Sequence, residues 1–86
     1  MKCQRPDIGS SGQKVRQIQE YLNLIGEFYN NIPHLVTDGI YGERTTEAVS
    51  RFQKIFDMPV SGIVDFPTWY RISEKYVALS GIAELQ

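Results

Sequence analysis

The sequence predicts an all-α fold, a compact three-helix bundle with ordered loops that is built from a partial internal repeat. Apolar residues recur every three or four positions in three separate segments, which is the spacing of helices that each bury one face. Residues 38–49 and residues 61–72 also share one pattern: a glycine turn, an apolar pair and a helix start. Gly39 corresponds to Gly62 in this pattern, and Thr45 corresponds to Thr68. Two similar turns that each lead into a helix predict a small helical domain formed by partial duplication.

The length and composition favour a single small globular domain. The chain has 86 residues, 42% of them hydrophobic, which is enough for one economical core. A net charge of −1 argues against a nucleic-acid partner, because phosphate binding needs a basic surplus on one face. It also disfavours an anionic membrane surface, and no apolar run approaches the ~20 residues of a membrane helix. We therefore expect neither nucleic acid nor a membrane as a partner.

The positions of proline and glycine and the extent of the apolar pattern divide the chain into three segments. Residues 1–8 form a polar N-terminal lead-in, since Pro6 and Gly9 discourage regular structure. Residues 9–80 form the domain. Residues 81–86 form either a C-terminal tail or an extension of the last helix, because the apolar pattern continues to Ile82 despite Gly81.

The first helix is predicted to begin near Ser11 and to end at Gly26. Ser10 and Gln13 have the spacing of a capping box, in which a hydroxyl reaches the backbone amide three residues on. Glycine is common directly after a helix, which makes Gly26 a plausible stop. The buried face of this helix is predicted to consist of Val15, Ile18, Leu22 and Ile25.

Residues 27–37 have no clean period and are predicted to form an ordered loop whose aromatic residues, Phe28 and Tyr29, fill the core. Pro33 prevents a helix there. Residues 38–42 follow as a tight turn, in which Gly39 and Gly42 suit backbone conformations that cost other residues roughly 1 kcal/mol or more. Short extended pieces are expected just after Gly39 and Gly62.

The second and third helices are predicted to follow the two glycine turns. Helix two starts after Gly42 and ends before Pro59. Helix three starts at Asp65, a strong N-cap residue, and tolerates Pro67 in its first turn. The predicted buried residues are Ala48, Val49, Phe52 and Phe56 in helix two, and Trp69, Ile72, Tyr76 and Leu79 in helix three.

The sequence contains no convincing catalytic or metal-binding set. His34 is the single histidine and is interpreted as a surface residue. Cys3 is the single cysteine, so an internal disulfide is impossible and a zinc site lacks ligands. Glu43 and Glu47 are a like-charged pair one helical turn apart, without the enclosed cleft that a glycosidase requires. We expect no enzyme activity, no metal and no cofactor.

Three motifs follow one another along residues 9–72. They are Gly9-Ser10-Ser11-Gly12 with Val15, Ile18-Gln19 and Leu22; Asp38-Gly39-Ile40-Tyr41-Gly42 with Thr45, Ala48-Val49 and Phe52-Gln53; and Ser61-Gly62-Ile63-Val64 with Thr68-Trp69. This ordered set resembles the peptidoglycan-binding domain family of bacterial cell-wall hydrolases. The segment 25–37 is similar to the version found in spore-forming Firmicutes. Two positions depart from the family pattern, because Ser61 replaces an aspartate and Asp65 replaces a glycine.

The resemblance implies a three-helix bundle and a non-catalytic module that binds peptidoglycan of the cell wall or spore cortex. Such a module targets a wall-active enzyme, so the implied partners are a glycan strand or stem peptide and a covalently linked catalytic domain. The implied location is extracytoplasmic, in the cell wall or spore envelope, although the chain shows no signal peptide. A monomer is expected.

The first glycine turn is the predicted ligand site. Tyr41 offers a ring and a hydroxyl, and Arg44 suits a forked contact with a peptide carboxylate. The start of helix two favours anions. The predicted ligand-binding residues are Asp38, Gly39, Tyr41, Gly42, Arg44 and Thr45, with Tyr29 and Tyr70 as secondary candidates.

Several of these residues also have structural interpretations. Asp38 suits bonding to the amides of its own turn, and Thr45 suits capping of helix two. Gln19 and Gln53 occupy matching places and suit tying loops to helices. The sequence leaves open whether the ligand groove lies at the first or the second glycine turn.

Two other functions remain as alternatives. One is a protein–protein or prodomain-like module of the same three-helix fold, resembling the pro-segments of matrix metalloproteinases. That interpretation requires a cysteine after the bundle, whereas Cys3 precedes it. The other is a fragment of an enzyme, which the absence of a nucleophile–base set argues against.

Overall fold

The computed structural model describes residues 11–81 and contains three α-helices in this range. They are α1 (Gln13–Gly26), α2 (Glu43–Ile55) and α3 (Phe66–Ser80). Residues 11–81 contain no named strand, and Ser11 and Ile40 form an isolated antiparallel bridge. The predicted all-α three-helix bundle is therefore confirmed.

The core lies where α1 packs against both α3 and α2. The predicted face of α1 is buried throughout, and Phe52 of α2 and Ile72 of α3 are fully inaccessible to solvent. Trp69 is only partly buried and stacks on Tyr21 of α1, with their ring centroids 5.4 Å apart. Because short isolated helices are marginal in water, this packing provides most of the helices' stability.

The three helices begin in different ways. Asp65 caps α3 as predicted, and its carboxylate accepts a hydrogen bond of 3.1 Å from the Thr68 amide. Gly42 precedes α2, and no side chain caps that helix, so the predicted capping role of Thr45 is wrong. Gly12 precedes α1, again without a side-chain cap. Ser10, the other half of the predicted capping box, lies outside the described residues.

The ends of α2 and α3 each involve a residue in the left-handed conformation. After α2, Asp57 adopts a φ of 62°, and the Met58 amide donates to the Gln53 carbonyl at 2.8 Å. This Schellman-type turn ends α2 at Ile55, ahead of Pro59. After α3, Gly81 has a φ of 84° and ends the helix at Ser80. Ile82, the predicted continuation, lies outside the described residues.

The loop between α1 and α2 fills the core mainly with aliphatic side chains. Of its two aromatic residues, Tyr29 is partly buried against the core as predicted, whereas the prediction is wrong for Phe28. Ile32 and Leu35 are buried, whereas Phe28 is 56% exposed. Asn23 of α1 holds the loop in place, because its side-chain amide donates to the Leu35 carbonyl at 2.8 Å and its carbonyl accepts from the Leu35 amide at 2.7 Å. This clamp positions the loop beside the first glycine turn.

Candidate functional site

The first glycine turn is held by one buried amide side chain, that of Gln19 on α1. The Gln19 carbonyl accepts a hydrogen bond of 2.9 Å from the Gly39 amide. Its NH₂ group donates to Thr45 Oγ1 at 3.0 Å, to the Ile40 carbonyl at 3.0 Å and to Asp38 Oδ1 at 3.2 Å. The predicted structural role of Gln19 is therefore confirmed, and Thr45 is buried as a partner of Gln19.

The second glycine turn repeats these bonds around Gln53 on α2. The Gln53 carbonyl accepts from the Ser61 and Gly62 amides, at 2.9 and 3.0 Å. Its NH₂ group donates to Thr68 Oγ1 at 3.1 Å and to Ser61 Oγ and the Ile63 carbonyl, both at 3.2 Å. The two turns thus share one bonding pattern, while the duplication of sequence behind it stays a prediction.

Asp38 and Ser61 accept equivalent hydrogen bonds at the two turns. Asp38 Oδ1 accepts from the Ile40 amide at 2.9 Å, and Ser61 Oγ accepts from the Ile63 amide at 3.2 Å. The departure from the family pattern at Ser61 therefore keeps the bond to the turn. The bond from the Ile40 amide to Asp38 also confirms that Asp38 binds an amide of its own turn.

Gly39 and Gly62 are required by both conformation and space. Their φ angles are 78° and 76°, in the left-handed region that side chains disfavour. A Cβ atom on Gly39 would lie 3.2 Å from the Gly12 carbonyl oxygen, and one on Gly62 would lie 2.9 Å from Thr46 Cγ2. These two glycines therefore shape the turns from within, and the ligand-binding role of Gly39 stays a prediction.

Tyr41 is a core residue, which corrects its prediction as a ligand contact. Its side chain is 0% exposed, and its hydroxyl donates a 2.6 Å hydrogen bond to the Gly62 carbonyl. The ring therefore offers no face to a sugar. Instead, Tyr41 connects the first glycine turn to the second.

A surface groove of about 310 Å³ lies beside the first glycine turn. One side is formed by the loop before the turn, and the other by the turn and the start of α2. We call it the first-turn groove; its lining residues are Gln19, His34, Leu35, Val36, Asp38, Ile40, Gly42, Glu43, Arg44 and Thr45. Four predicted site residues thus meet in one concavity: Asp38, Gly42, Arg44 and Thr45.

The groove combines charged groups with apolar edges. Arg44 is exposed, and its guanidinium lies 3.5 Å from the His34 carbonyl oxygen across the groove. The first turn of α2 has no side-chain cap at Gly42, and its one acidic residue is Glu43, which also lines the groove. Val36 and Ile40 are 77% and 57% exposed. This arrangement suits a small polar ligand that carries an anionic group and short alkyl groups.

The Asp38 carboxylate stays ionised through its hydrogen bonds. The Ile40 amide, and after it the Gln19 side chain, lower the pKa of Asp38 below its ordinary value. Both donors stabilise the charged form directly. Asp38 thus brings a negative charge to the groove that Arg44 also lines.

Tyr29 and Tyr70, the secondary candidates, lie apart from the groove lining. Tyr29 is half-buried and packs edge-on against Phe56, with ring centroids 5.2 Å apart. Tyr70 is 61% exposed on α3 beside Phe66, whose ring is 6.5 Å away. Tyr70 is therefore the predicted tyrosine that presents an accessible ring.

Sequence reasoning missed the loop side of the groove. Leu35 and Val36 line the groove on the loop that Asn23 fixes, and a lone asparagine among the many polar residues of α1 gives no signal of that contact. Glu43, which the sequence indicates only as half of a carboxylate pair, lines the groove as well. His34 is exposed, as its interpretation as a surface histidine predicts, and it also lines the groove.

Two further features of the described residues bear on function. Within residues 11–81, no three His, Cys, Asp or Glu side chains are grouped so that they could hold a metal ion. No helix among these residues has the length and apolar character needed to cross a membrane.

Three helices joined by glutamine-tied glycine turns, with a polar groove at one of them, define a small helical binding module. Residues 11–72 match the family model described as "Putative peptidoglycan binding domain". Since this match covers more than half of the chain, the protein belongs to the peptidoglycan-binding domain family, as the sequence motifs predicted.

Two solved structures are similar to this chain. The crystal structure of the SleB N-terminal domain is 28% identical, with a TM-score of 0.73 over 88% of this chain and 97% of that one. A peptidoglycan-binding protein from Clostridioides difficile, in complex with glutamine hydroxamate, is 27% identical, with a TM-score of 0.75 over 85% of this chain. The match spans 42% of that second chain, so the Clostridioides protein contains much sequence beyond this fold.

Proposed function

We propose that this domain binds peptidoglycan through the first-turn groove and catalyses no reaction. The observation that carries the proposal is the groove itself, in which Arg44 and the uncapped start of α2 lie together in a member of a peptidoglycan-binding family. A peptide carboxylate suits the guanidinium and the helix amides, and small side chains suit the apolar edges at Val36 and Ile40. Asp38 and Glu43 provide the opposite charge for an amino group of the same ligand.

The groove is shallow, so weak binding is expected. Affinities from millimolar to ten micromolar correspond to roughly 4–7 kcal/mol. Such an affinity is sufficient for a module whose role is to raise the local concentration of an attached enzyme on its substrate, because linkage raises the effective concentration without new contacts. We therefore propose a wall-active catalytic domain as the covalently linked partner, and the cell wall or spore envelope as the location.

Co-sedimentation with purified insoluble peptidoglycan tests the proposal. The wild-type domain at tens of micromolar is expected to pellet with the wall material, and Arg44→Ala is expected to pellet several-fold less. Arg71→Ala is the matched control, because Arg71 is a helical arginine in an exposed ion pair with Glu74, away from the groove. A folded wild type that stays in the supernatant would contradict peptidoglycan binding. Equal loss in Arg44→Ala and Arg71→Ala would contradict the groove as the site.

A second candidate function, contact with a partner protein, is favoured by the exposed face of α3. Phe66 and Tyr70 are 70% and 61% exposed and lie side by side, as apolar residues at interaction surfaces often do. The same pair also suits stacking on a sugar ring. Tyr70→Ala in the sedimentation assay separates the two: reduced pelleting indicates glycan contact, whereas unchanged pelleting leaves this face for a protein.

A further inference from the structure

A second pocket lies on the outer side of α2, away from the first-turn groove. Its volume is about 560 Å³, within the usual range for small-molecule sites. Three successive elements contribute to it: the α1–α2 loop, α2 and the connection between α2 and α3. We call it the α2 pocket; its lining residues are Asn31, Ser50, Arg51, Lys54, Ile55 and Val60.

The polar groups of the α2 pocket can all donate hydrogen bonds, and together they carry a net positive charge. Arg51 and Lys54 supply two cations, Asn31 and Ser50 supply an amide and a hydroxyl, and no carboxylate is in the lining. The first-turn groove differs, since Asp38 and Glu43 accompany Arg44 there. An anionic group is therefore the ligand chemistry that the α2 pocket fits best.

Ordinary helix features explain part of this arrangement. Lys54 lies in the last turn of α2, where a cation stabilises the helix end. Arg51 pairs with Glu47 at 3.2 Å, and both side chains are about half exposed. An exposed ion pair of this kind adds little to stability, so Arg51 can exchange Glu47 for a ligand carboxylate at small cost. Neither feature accounts for Asn31 and Val60, which line the same pocket from two other elements.

The apolar residues in the lining further restrict the kinds of ligand that fit the pocket. Ile55 packs against the core from one side, and Val60 is 57% exposed at the other. These side chains suit methyl groups next to the anionic group. A polyol phosphate chain has no such methyl groups, whereas the carboxyl-terminal alanine of a short peptide has both a carboxylate and a methyl group.

We propose that the α2 pocket is a second ligand site, which binds the free carboxyl terminus of an alanine-ended stem peptide. The carboxylate contacts Lys54 and Arg51, Asn31 and Ser50 donate to it, and the alanine methyl group contacts Val60 and Ile55. The proposal rests on the proposed function, because it assigns one part of the peptidoglycan to a site distinct from the first-turn groove. Two weak sites on one domain would strengthen its hold on a polymer that presents many stem peptides.

An NMR titration of the ¹⁵N-labelled domain with N-acetyl-D-alanyl-D-alanine tests this site. We expect saturable shifts of the Asn31, Ser50 and Val60 amides at millimolar peptide, and roughly fivefold weaker binding in Lys54→Gln, the effect of losing one exposed charge contact. Arg71→Gln, which removes a helical cation outside the α2 pocket lining, is expected to bind like the wild type. The carboxyl-terminal amide of the same dipeptide is expected to cause no shift at these positions.

Three results would overturn the proposal: equal shifts with the amide derivative, shifts confined to the first-turn groove, or no shift at all. Shifts at these amides with a glycerol phosphate oligomer, but none with the dipeptide, would also overturn it and reassign the pocket to an anionic polymer. The sedimentation assay remains independent. If the wild type pellets but the dipeptide causes no shift, only the α2 pocket proposal is contradicted. If the wild type fails to pellet, the proposed function itself is contradicted.

Discussion

At the residue scale, two glutamines organise this protein. Gln19 and Gln53 each offer one carbonyl and one NH₂ group to the backbone of a glycine turn and to a threonine hydroxyl. Both side chains are 1% exposed, and the buried polar side-chain atoms of the described residues all have partners. Because an unsatisfied buried polar group costs roughly 1–3 kcal/mol, glutamine at these two positions is a requirement of the fold.

Asp38 leads to a prediction about pH. Its pKa is lowered by the Ile40 amide and by Gln19, so the folded state holds the proton less tightly than the unfolded chain. The resulting stability is fully present above the unfolded pKa and is lost as the pH falls through the folded pKa. In Asp38→Asn, which keeps an oxygen acceptor, stability is expected to be lower at pH 7, and the gap to the wild type should narrow as the pH falls below the ordinary aspartate pKa of about 4.

Chemical denaturation at several pH values measures this difference. Glu27→Gln, which removes an exposed carboxylate just after α1, controls for the loss of one negative charge. A constant gap between the wild type and Asp38→Asn from pH 7 to pH 3 would contradict the proposed role of the charge.

At the element scale, each helix end reflects a local choice of residue. Asp65 caps α3, whereas Gly42 leaves the start of α2 open beside the first-turn groove. The N-cap position thus carries a capping side chain in α3 and none in α2. This difference favours the first glycine turn over the second as the ligand site, a choice that the sequence left open.

The end of α2 gives a prediction about stability. Asp57 holds a φ of 62°, a conformation that glycine adopts without strain. Asp57→Gly is therefore expected to raise the free energy of unfolding by about 0.5–1 kcal/mol. Asp57→Ala is the control and is expected to lower it, since alanine has neither the freedom of glycine nor the local hydrogen bonding of aspartate. Thermal or urea unfolding monitors both, and destabilisation by glycine would show that the aspartate side chain itself is needed.

At the scale of the whole molecule, Tyr41 joins the two glycine turns. Its hydroxyl leaves the first turn and donates to Gly62 in the second, through the centre of the fold. Gln19 binds the first turn to α1, and Gln53 binds the second turn to α2. The three helices and two turns are therefore joined by side-chain hydrogen bonds into one connected unit.

Tyr41→Phe separates a structural role from a ligand contact. Removing the hydroxyl leaves the buried Gly62 carbonyl without this donor, and we expect the free energy of unfolding to fall by about 1–2 kcal/mol. Pelleting with peptidoglycan is expected to stay unchanged at a temperature where the variant is fully folded. Loss of pelleting in a folded Tyr41→Phe domain would return Tyr41 to the ligand site.

The sequence by itself determined the three helices, the two glycine turns, the Asp65 cap and the family. These follow from apolar spacing and from residues whose backbone preferences act locally, such as Gly39 and Pro67. It also pointed to the structural roles of Gln19 and Gln53, because they occupy matching places. It failed for Tyr41 and Phe28, since an aromatic residue in a loop suits either a surface or a core.

Only the tertiary structure decided which side chains face solvent and which surfaces become concave. The first-turn groove requires Asn23 to fix Leu35, and the α2 pocket requires Asn31 and Val60 to approach α2 from either side. These contacts join residues far apart in the chain, and a spacing pattern carries no information about them. Local preference sets the elements, whereas packing between distant elements sets the site.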